Sequence, residues 1–282
     1  MKSFSIFTPT KSPLNHSPGI GENWLTWSPK FRKTFLRAKK LKGYDLISPE
    51  LIFLQGFQDY NYSYDVVGTT GPVDQLLAML EPFAAALYQI EINDSIYFLD
   101  KLIDEDISAD DLSVILSILR KIIVARYKDK MEALYTPLTA TNTGQFPLHC
   151  DLYIPKRLLN IYEVVAKDDS GKSIFMPMQT FMEKVLPFVD EMPARTKSEI
   201  ASIINSNKYE DNYEHFYEIL HGRANPWFAR LKHLMSLNAV EHKFEKGQGY
   251  LLHDRKWLHG RTKPNGTFSV KRVHRLVFNS NY

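Results

Sequence analysis

Lys246-Gly-Gln-Gly-Tyr-Leu-Leu-His-Asp-Arg-Lys-Trp-Leu-His-Gly-Arg-Thr262 decides how the chain folds. Glycines at 247 and 249 supply a turn, and Tyr250-Leu-Leu-His253 continues from it as an apolar strand. Upstream, Val240-Glu-His-Lys-Phe244 reads as another strand. Downstream, Ser269-Val-Lys-Arg-Val-His-Arg-Leu-Val-Phe278 reads as the last. A second β-type block begins near Phe146, with runs at Leu148 to Ile154, Asn160 to Ala166 and Ser173 to Met176. The polar stretch Lys167 to Lys172 between the last two has the chemistry of a hairpin turn. Between the blocks, Thr196-Lys-Ser-Glu199 caps a helix within a helical insert over about 178–238. The two blocks are expected to pair into one sheet system that the insert interrupts.

The first 145 residues read as mainly helical support after an irregular start. Leu76, Leu77, Leu80, Phe83 and Leu87 fall at helical spacing, and Ser108-Ala-Asp-Asp111 is a capping box ahead of a second apolar helix. No repeat, low-complexity tract or linker divides the sequence, so residues 1–282 are expected to form a single domain, with the β-core over 146–282.

A hydrophobic share of 44% and a charged share of 24% exclude a disordered chain or a fibre. A formal charge of +3 is too small to imply nucleic acid. The one basic run, Lys30 to Lys42, reads first as the solvated face of a helix and second as a surface for an acidic partner. With Cys150 as the single cysteine, neither an intrachain disulfide nor a multi-cysteine zinc site forms, which favours a reducing, cytoplasmic compartment. The start, Met1 to Lys11, breaks its apolar character too early for a signal peptide, and no run of eighteen apolar residues suggests a membrane span.

The chemistry begins at His149-Cys150-Asp151. In a strand, residues two apart share a face, so His149 and Asp151 can grip one ion while Cys150 turns into the core. Two imidazoles and a carboxylate on one face of a metal leave positions open for substrates, the ligand set of non-haem iron(II) oxygenases. An isolated His-x-Asp is a weak signal; a second histidine is needed. Two candidates exist, each in a Leu-His-Gly-Arg: His259 after the glycine turn, and His221 at the end of a helical-looking run. Their contexts favour His259, and His221 reads as a helix-end histidine before a glycine.

The seventeen positions from Lys246 to Thr262 resemble the far-histidine region of the taurine dioxygenase and clavaminate synthase-like family of Fe(II)/2-oxoglutarate-dependent dioxygenases. The resemblance extends over the chain from about Phe146 and implies His149, Asp151 and His259 as iron ligands. It implies Ser173, in Gly171-Lys-Ser173, as a hydroxyl meeting the cosubstrate where the family commonly has threonine. It also implies an arginine for the distal carboxylate of 2-oxoglutarate, thirteen to sixteen residues beyond His259. Arg272 is the first choice by that distance and Arg275 the second; a guanidinium fork matches a carboxylate bidentately. Asp151 argues against a halogenase, in which a small residue replaces the carboxylate.

The resemblance further implies an α+β fold: a double-stranded β-helix, or jelly roll, with flanking helices and the insert. The implied cofactors are Fe(II) and 2-oxoglutarate. The implied reaction is dioxygen-dependent hydroxylation, desaturation or cyclisation of a small molecule such as an amino acid or specialised metabolite. The alternatives are a carrier-bound or macromolecular substrate, and a non-oxygenase metal protein of the same fold. Substrate identity and oligomeric state are not legible in the sequence.

Overall fold

The computed structural model describes residues 6–10, 24–40, 45–52, 61–67, 71–89, 96–126, 131–141, 145–151, 156–165, 171–206, 212–263 and 270–280. Its elements in chain order begin with β1 (Phe7–Pro9), β2 (Trp24–Trp27), α1 (Pro29–Lys40), β3 (Asp45–Ile52), β4 (Asn61–Val67), α2 (Gly71–Gln89), β5 (Tyr97–Leu99), α3 (Ala109–Arg126) and β6 (Met131–Thr141). Next come β7 (Phe146–His149), β8 (Lys156–Val165) and β9 (Ser173–Pro177), then the insert helices α4 (Met178–Thr180), α5 (Ala194–Asn205), α6 (Tyr213–His221) and α7 (Phe228–Asn238). β10 (Val240–His242), β11 (Gly249–His253), β12 (Trp257–Arg261) and β13 (Val270–Ser280) complete the series.

The strands form a seven-stranded sheet, β1-β2-β5-β11-β8-β13-β6, a four-stranded sheet, β10-β9-β12-β7, and the separate pair β3-β4. The two β blocks therefore interleave in two sheets: β8 pairs with β11 and β13, while β12 pairs with β7 and β9. Alternation along each strand then sorts side chains into layers. On β8, Leu159 and Ile161 join the cluster that packs under α1, α2 and α3, whereas Leu158 and Tyr162 join the layer between the sheets. That middle layer is aromatic: Trp24, Phe98, Phe175, Phe244 and Tyr250 are all buried, and Phe98 meets Phe175 edge-on at 5.8 Å between ring centroids. Burying each such ring contributes roughly 1.5–3 kcal/mol. The outer face of the four-stranded sheet, with Leu148, Ile174, Met176 and Leu258, is covered by the insert through Phe181, Phe216, Leu231 and Met235.

Capping chemistry explains α3. Asp111 N–H donates to Ser108 Oγ at 3.2 Å, and Ser108 N–H donates to Asp111 Oδ2 at 2.8 Å, the reciprocal capping box. The insert differs at α5, which starts at Ala194 with Pro193 as its N-cap; Thr196 lies inside the first turn and no side-chain cap bond forms. Proline's extended backbone (φ −58°, ψ 144°) and missing N–H suit the residue before a helix, so Pro193 outcompetes Thr196 as the start signal.

The basic run is α1. Phe31, Phe35 and Ala38 are buried, while Arg32 pairs with Asp104 at 2.5 Å and Lys39 with Asp111 at 2.6 Å. Two of its cations thus meet acids of this chain. The N-terminal 145 residues also contribute β1, β2, β5 and β6 to the large sheet, beyond the helical support read from the sequence. Three of these are only three or four residues long, too short to show an alternating pattern. Within the expected strand Leu148 to Ile154 the observed β7 ends at His149, and residues 152–155 lie outside the described residues. Residues 166–170, most of the expected hairpin turn, lie outside them too. No described helix is long and apolar enough to cross a membrane.

Candidate metal centre

β7 and β12 run antiparallel with His149 opposite His259, so two imidazoles from distant sequence meet with ring centroids 4.6 Å apart. Asp151 follows just beyond β7, and one donor atom from each of the three lies within 4.8 Å of the others. Local packing explains why they converge. Leu148 and Cys150 enter the cluster under the insert, which turns His149 to the opposite side. Tyr213, the first residue of α6, donates its hydroxyl to the Cys150 carbonyl at 2.8 Å and so braces the backbone between His149 and Asp151. At Gly260 the chains pass closely: a Cβ there would stand 2.6 Å from the Phe146 carbonyl oxygen and 2.7 Å from that of Pro147.

Electrostatics makes this a set of lone pairs. Burial pushes the His149 imidazole down to about 4, and burial followed by the nearby His149 holds His259 well below its ordinary value. Both rings are neutral near pH 7. His149 Nδ1 sits 2.8 Å from the Pro147 carbonyl, an acceptor, so its single proton belongs there and Nε2 keeps its lone pair. That Nε2 faces Asp151 Oδ1 at 3.4 Å, and His259 Nε2 lies 3.9 Å from Asp151 Oδ2. A lone pair turned toward a carboxylate oxygen is repulsive, and the Arg275 cation contacts Oδ2 rather than the Oδ1 that faces His149. The donor set therefore fits a divalent metal, and two imidazoles with one carboxylate are the donors that iron(II) takes in non-haem sites.

The other expected residues separate clearly. Arg275 Nη2 contacts Asp151 Oδ2; burial pushes this guanidinium down to about 10, which leaves it charged near pH 7. Arg272, the first choice by sequence distance, lies elsewhere: it is 45% exposed, with Nε 3.0 Å from Glu163 Oε2. Of the two arginines the structure thus sets Arg275, and not Arg272, against Asp151. The cause is the alternation of β13, on which 272 and 275 face opposite ways. Ser173 is buried with Oγ 2.9 Å from the Tyr162 hydroxyl.

His221 ends α6 ahead of Gly222 and lines a cleft with Leu148, Lys232, Met235 and Glu241, outside the three-residue cluster. His253 Nδ1 accepts the Arg255 N–H at 3.2 Å, a local turn contact. Two nearby residues were not singled out by sequence. Asp254 is 2% exposed with Oδ1 3.7 Å from His259 Nε2, and Tyr213 holds the ligand loop. The acidic residue ahead of the Leu-His-Gly-Arg stretch is the only signal that pointed toward Asp254.

No protein-family model matches this chain, and no curated protein does. Among solved structures, it is similar to an asparagine oxygenase in complex with Fe(II), 2S,3S-3-hydroxyasparagine and succinate. That match has 10% identity and a TM-score of 0.42, covering 89% of this chain and 93% of that one. It is also similar to AAD-2 in complex with Mn(II) and N-oxalylglycine, at 12% identity and a TM-score of 0.30, over 84% and 99% of the two chains. A third is PvcB, an Fe, alpha-ketoglutarate dependent oxygenase from an isonitrile synthetic pathway, at 11% identity and a TM-score of 0.34, over 85% and 92%. What this chain itself brings together is His149, Asp151 and His259, with Arg275 against the carboxylate.

Proposed function

We propose that this chain is an Fe(II)- and 2-oxoglutarate-dependent dioxygenase acting on a small molecule, with the two sheets forming a jelly-roll core in a single domain. The observation that carries the reading is the convergence of two neutral imidazoles and a carboxylate, with one donor atom of each within 4.8 Å of the others. When bound, iron(II) with 2-oxoglutarate supplies the oxidising power: decarboxylation to succinate and carbon dioxide places one oxygen atom of O2 in succinate and the other on the substrate.

The residues divide the remaining work. His149, Asp151 and His259 would hold the metal with three donors and so leave it positions for the cosubstrate and dioxygen. Arg275, fixed beside Asp151, offers a guanidinium to an anionic cosubstrate. Ser173 of β9 with Tyr162 of β8 offers hydroxyls from strands of the two sheets. The aromatic layer between the sheets keeps water from one side of the centre, which strengthens every charge interaction there.

The test is anaerobic Fe(II) titration followed by succinate release from 2-oxoglutarate in the presence of oxygen and a metabolite panel. His149→Ala, Asp151→Ala and His259→Ala are each expected to lose at least about tenfold in metal affinity and to abolish turnover, while His221→Ala retains both. Succinate release without iron, or loss confined to His221→Ala, overturns the assignment. Turnover only on a carrier-bound or macromolecular substrate corrects the substrate class, and zinc binding without turnover makes the chain a non-oxygenase metal protein.

A further inference from the structure

Behind the metal centre, on the face of the seven-stranded sheet that meets the helices, lies a polar chain that the proposed chemistry does not use. His274 of β13 is fully buried. Its Nδ1 stands 2.8 Å from the Tyr135 hydroxyl of β6, and Tyr135 in turn donates to Ser113 Oγ of α3 at 2.8 Å. Its Nε2 stands 2.9 Å from Glu163 Oε2 of β8, and the same oxygen takes Arg272 Nε at 3.0 Å. The hydrogen bond from His274 is the main reason the Glu163 carboxyl is held below its ordinary value; as a carboxylate it only accepts, so Nε2 carries a proton. Three adjacent strands and one helix are pinned to a single imidazole.

Glu163 reaches this position through an irregularity. Along the β8–β13 ladder Arg272 pairs with Val164 and Val273 with Tyr162, which leaves Glu163 as an extra residue in β8. Tyr162 therefore stays in the layer between the sheets while Glu163 turns to the helix side. On β13, His274 and Leu276 face the helices, and Val273 and Val277 pack between the sheets. Arg275 has the parity of the latter pair and emerges against Asp151. A slip of one residue would exchange the two faces, burying the guanidinium under the helices and taking it from the metal centre. Apolar residues on both faces of β13 discriminate weakly against such a slip. The His274–Glu163 pair discriminates strongly, because the fully buried imidazole would lose its partners and the partly buried carboxylate its hydrogen bond.

We infer that His274, clamped between Glu163 and Tyr135, is a positioning residue that sets the register of β13 and thereby aims Arg275 at the anionic cosubstrate. The inference rests on the reading of Arg275 given above and deepens it: recognition of the carboxylate depends on residues that never touch it. Glu163→Leu removes the clamp, and Glu163→Gln keeps an acceptor of the same shape.

The experiment compares anaerobic calorimetric titrations of the full-length protein with Fe(II) and then with 2-oxoglutarate, alongside thermal melting. Glu163→Leu is expected to weaken 2-oxoglutarate binding about tenfold while Fe(II) affinity stays within about twofold, and Glu163→Gln to recover most of the loss. A uniform loss of packing would weaken Fe(II) and 2-oxoglutarate binding together, and that outcome overturns the positioning role. Should the leucine variant fail to fold, Tyr135→Phe carries the same comparison, with a loss of about threefold in cosubstrate binding expected. Unchanged 2-oxoglutarate affinity in the folded variants overturns the positioning role and leaves the functional reading standing. Absence of 2-oxoglutarate binding by the wild-type iron-loaded protein overturns both.

Discussion

At the scale of single residues, the two arginines of the last strand are the sharpest contrast. Arg275 meets Asp151 in the site, and Arg272 reaches Glu163 from a half-exposed position. Arg275→Ala is expected to weaken 2-oxoglutarate binding by about 10–100-fold, the worth of a charge-assisted contact in a buried site. Arg272→Ala is expected to change it by less than about threefold, as for an exposed ion pair. Equilibrium titration of the iron-loaded variants checks the order, and a larger loss at Arg272 reverses the assignment. The grouping of His149, Asp151 and His259 is legible in the sequence because the residue types and the glycine turn are local features. The choice of arginine is not, since counting positions from His259 says nothing about which side of a strand a residue faces. Asp254 and Tyr213 escape for a related reason: one contributes by proximity to His259 Nε2, the other through a backbone carbonyl.

At the scale of elements, β7 is an edge strand held on one side by β12, so the distance between His149 and His259 depends on that single pairing. Gly260→Ala would drive a methyl against the Phe146 and Pro147 carbonyls and force the strands apart. Weaker metal binding, by about tenfold or more, is expected together with a lower melting temperature. Metal affinity unchanged in a folded Gly260→Ala variant contradicts this account. Ser108→Ala removes the cap of α3 and is expected to cost about 1 kcal/mol, read as a lower denaturant midpoint at unchanged slope. α3 is legible because its box is written in four consecutive residues. β1, β2 and β5 are not, since strands of three or four residues gain their identity from partners distant in sequence.

At the scale of the whole molecule, three histidines held neutral near pH 7 shape the response to acid. His149 and His221 are each pushed down to about 4, chiefly by burial, and His259 lies well below its ordinary value. Above the unfolded value near 6.5 neither the folded nor the unfolded chain protonates them, and stability is at its full level. Between about 6.5 and 4 the unfolded chain binds protons that the folded chain refuses, so stability is lost as pH falls through that window. Melting of the metal-free protein at pH 7.5, 6 and 4.5 is expected to show this decline, with a shallower slope in His221→Gln; equal slopes would mean that His221 titrates freely. The two β blocks on either side of a helical insert are legible from the turn at Lys246 to Gly249, yet their interleaving in two sheets depends on long-range pairing that no local pattern encodes. The position of β13 between β8 and β6 has a consequence for biosynthesis. β6 is made more than 120 residues before its partner, and β8 about 100 before, so during translation both must wait with open edges until the final described strand leaves the ribosome. Folding of the large sheet is thereby a late event, and the insert under the four-stranded sheet can gather while it waits.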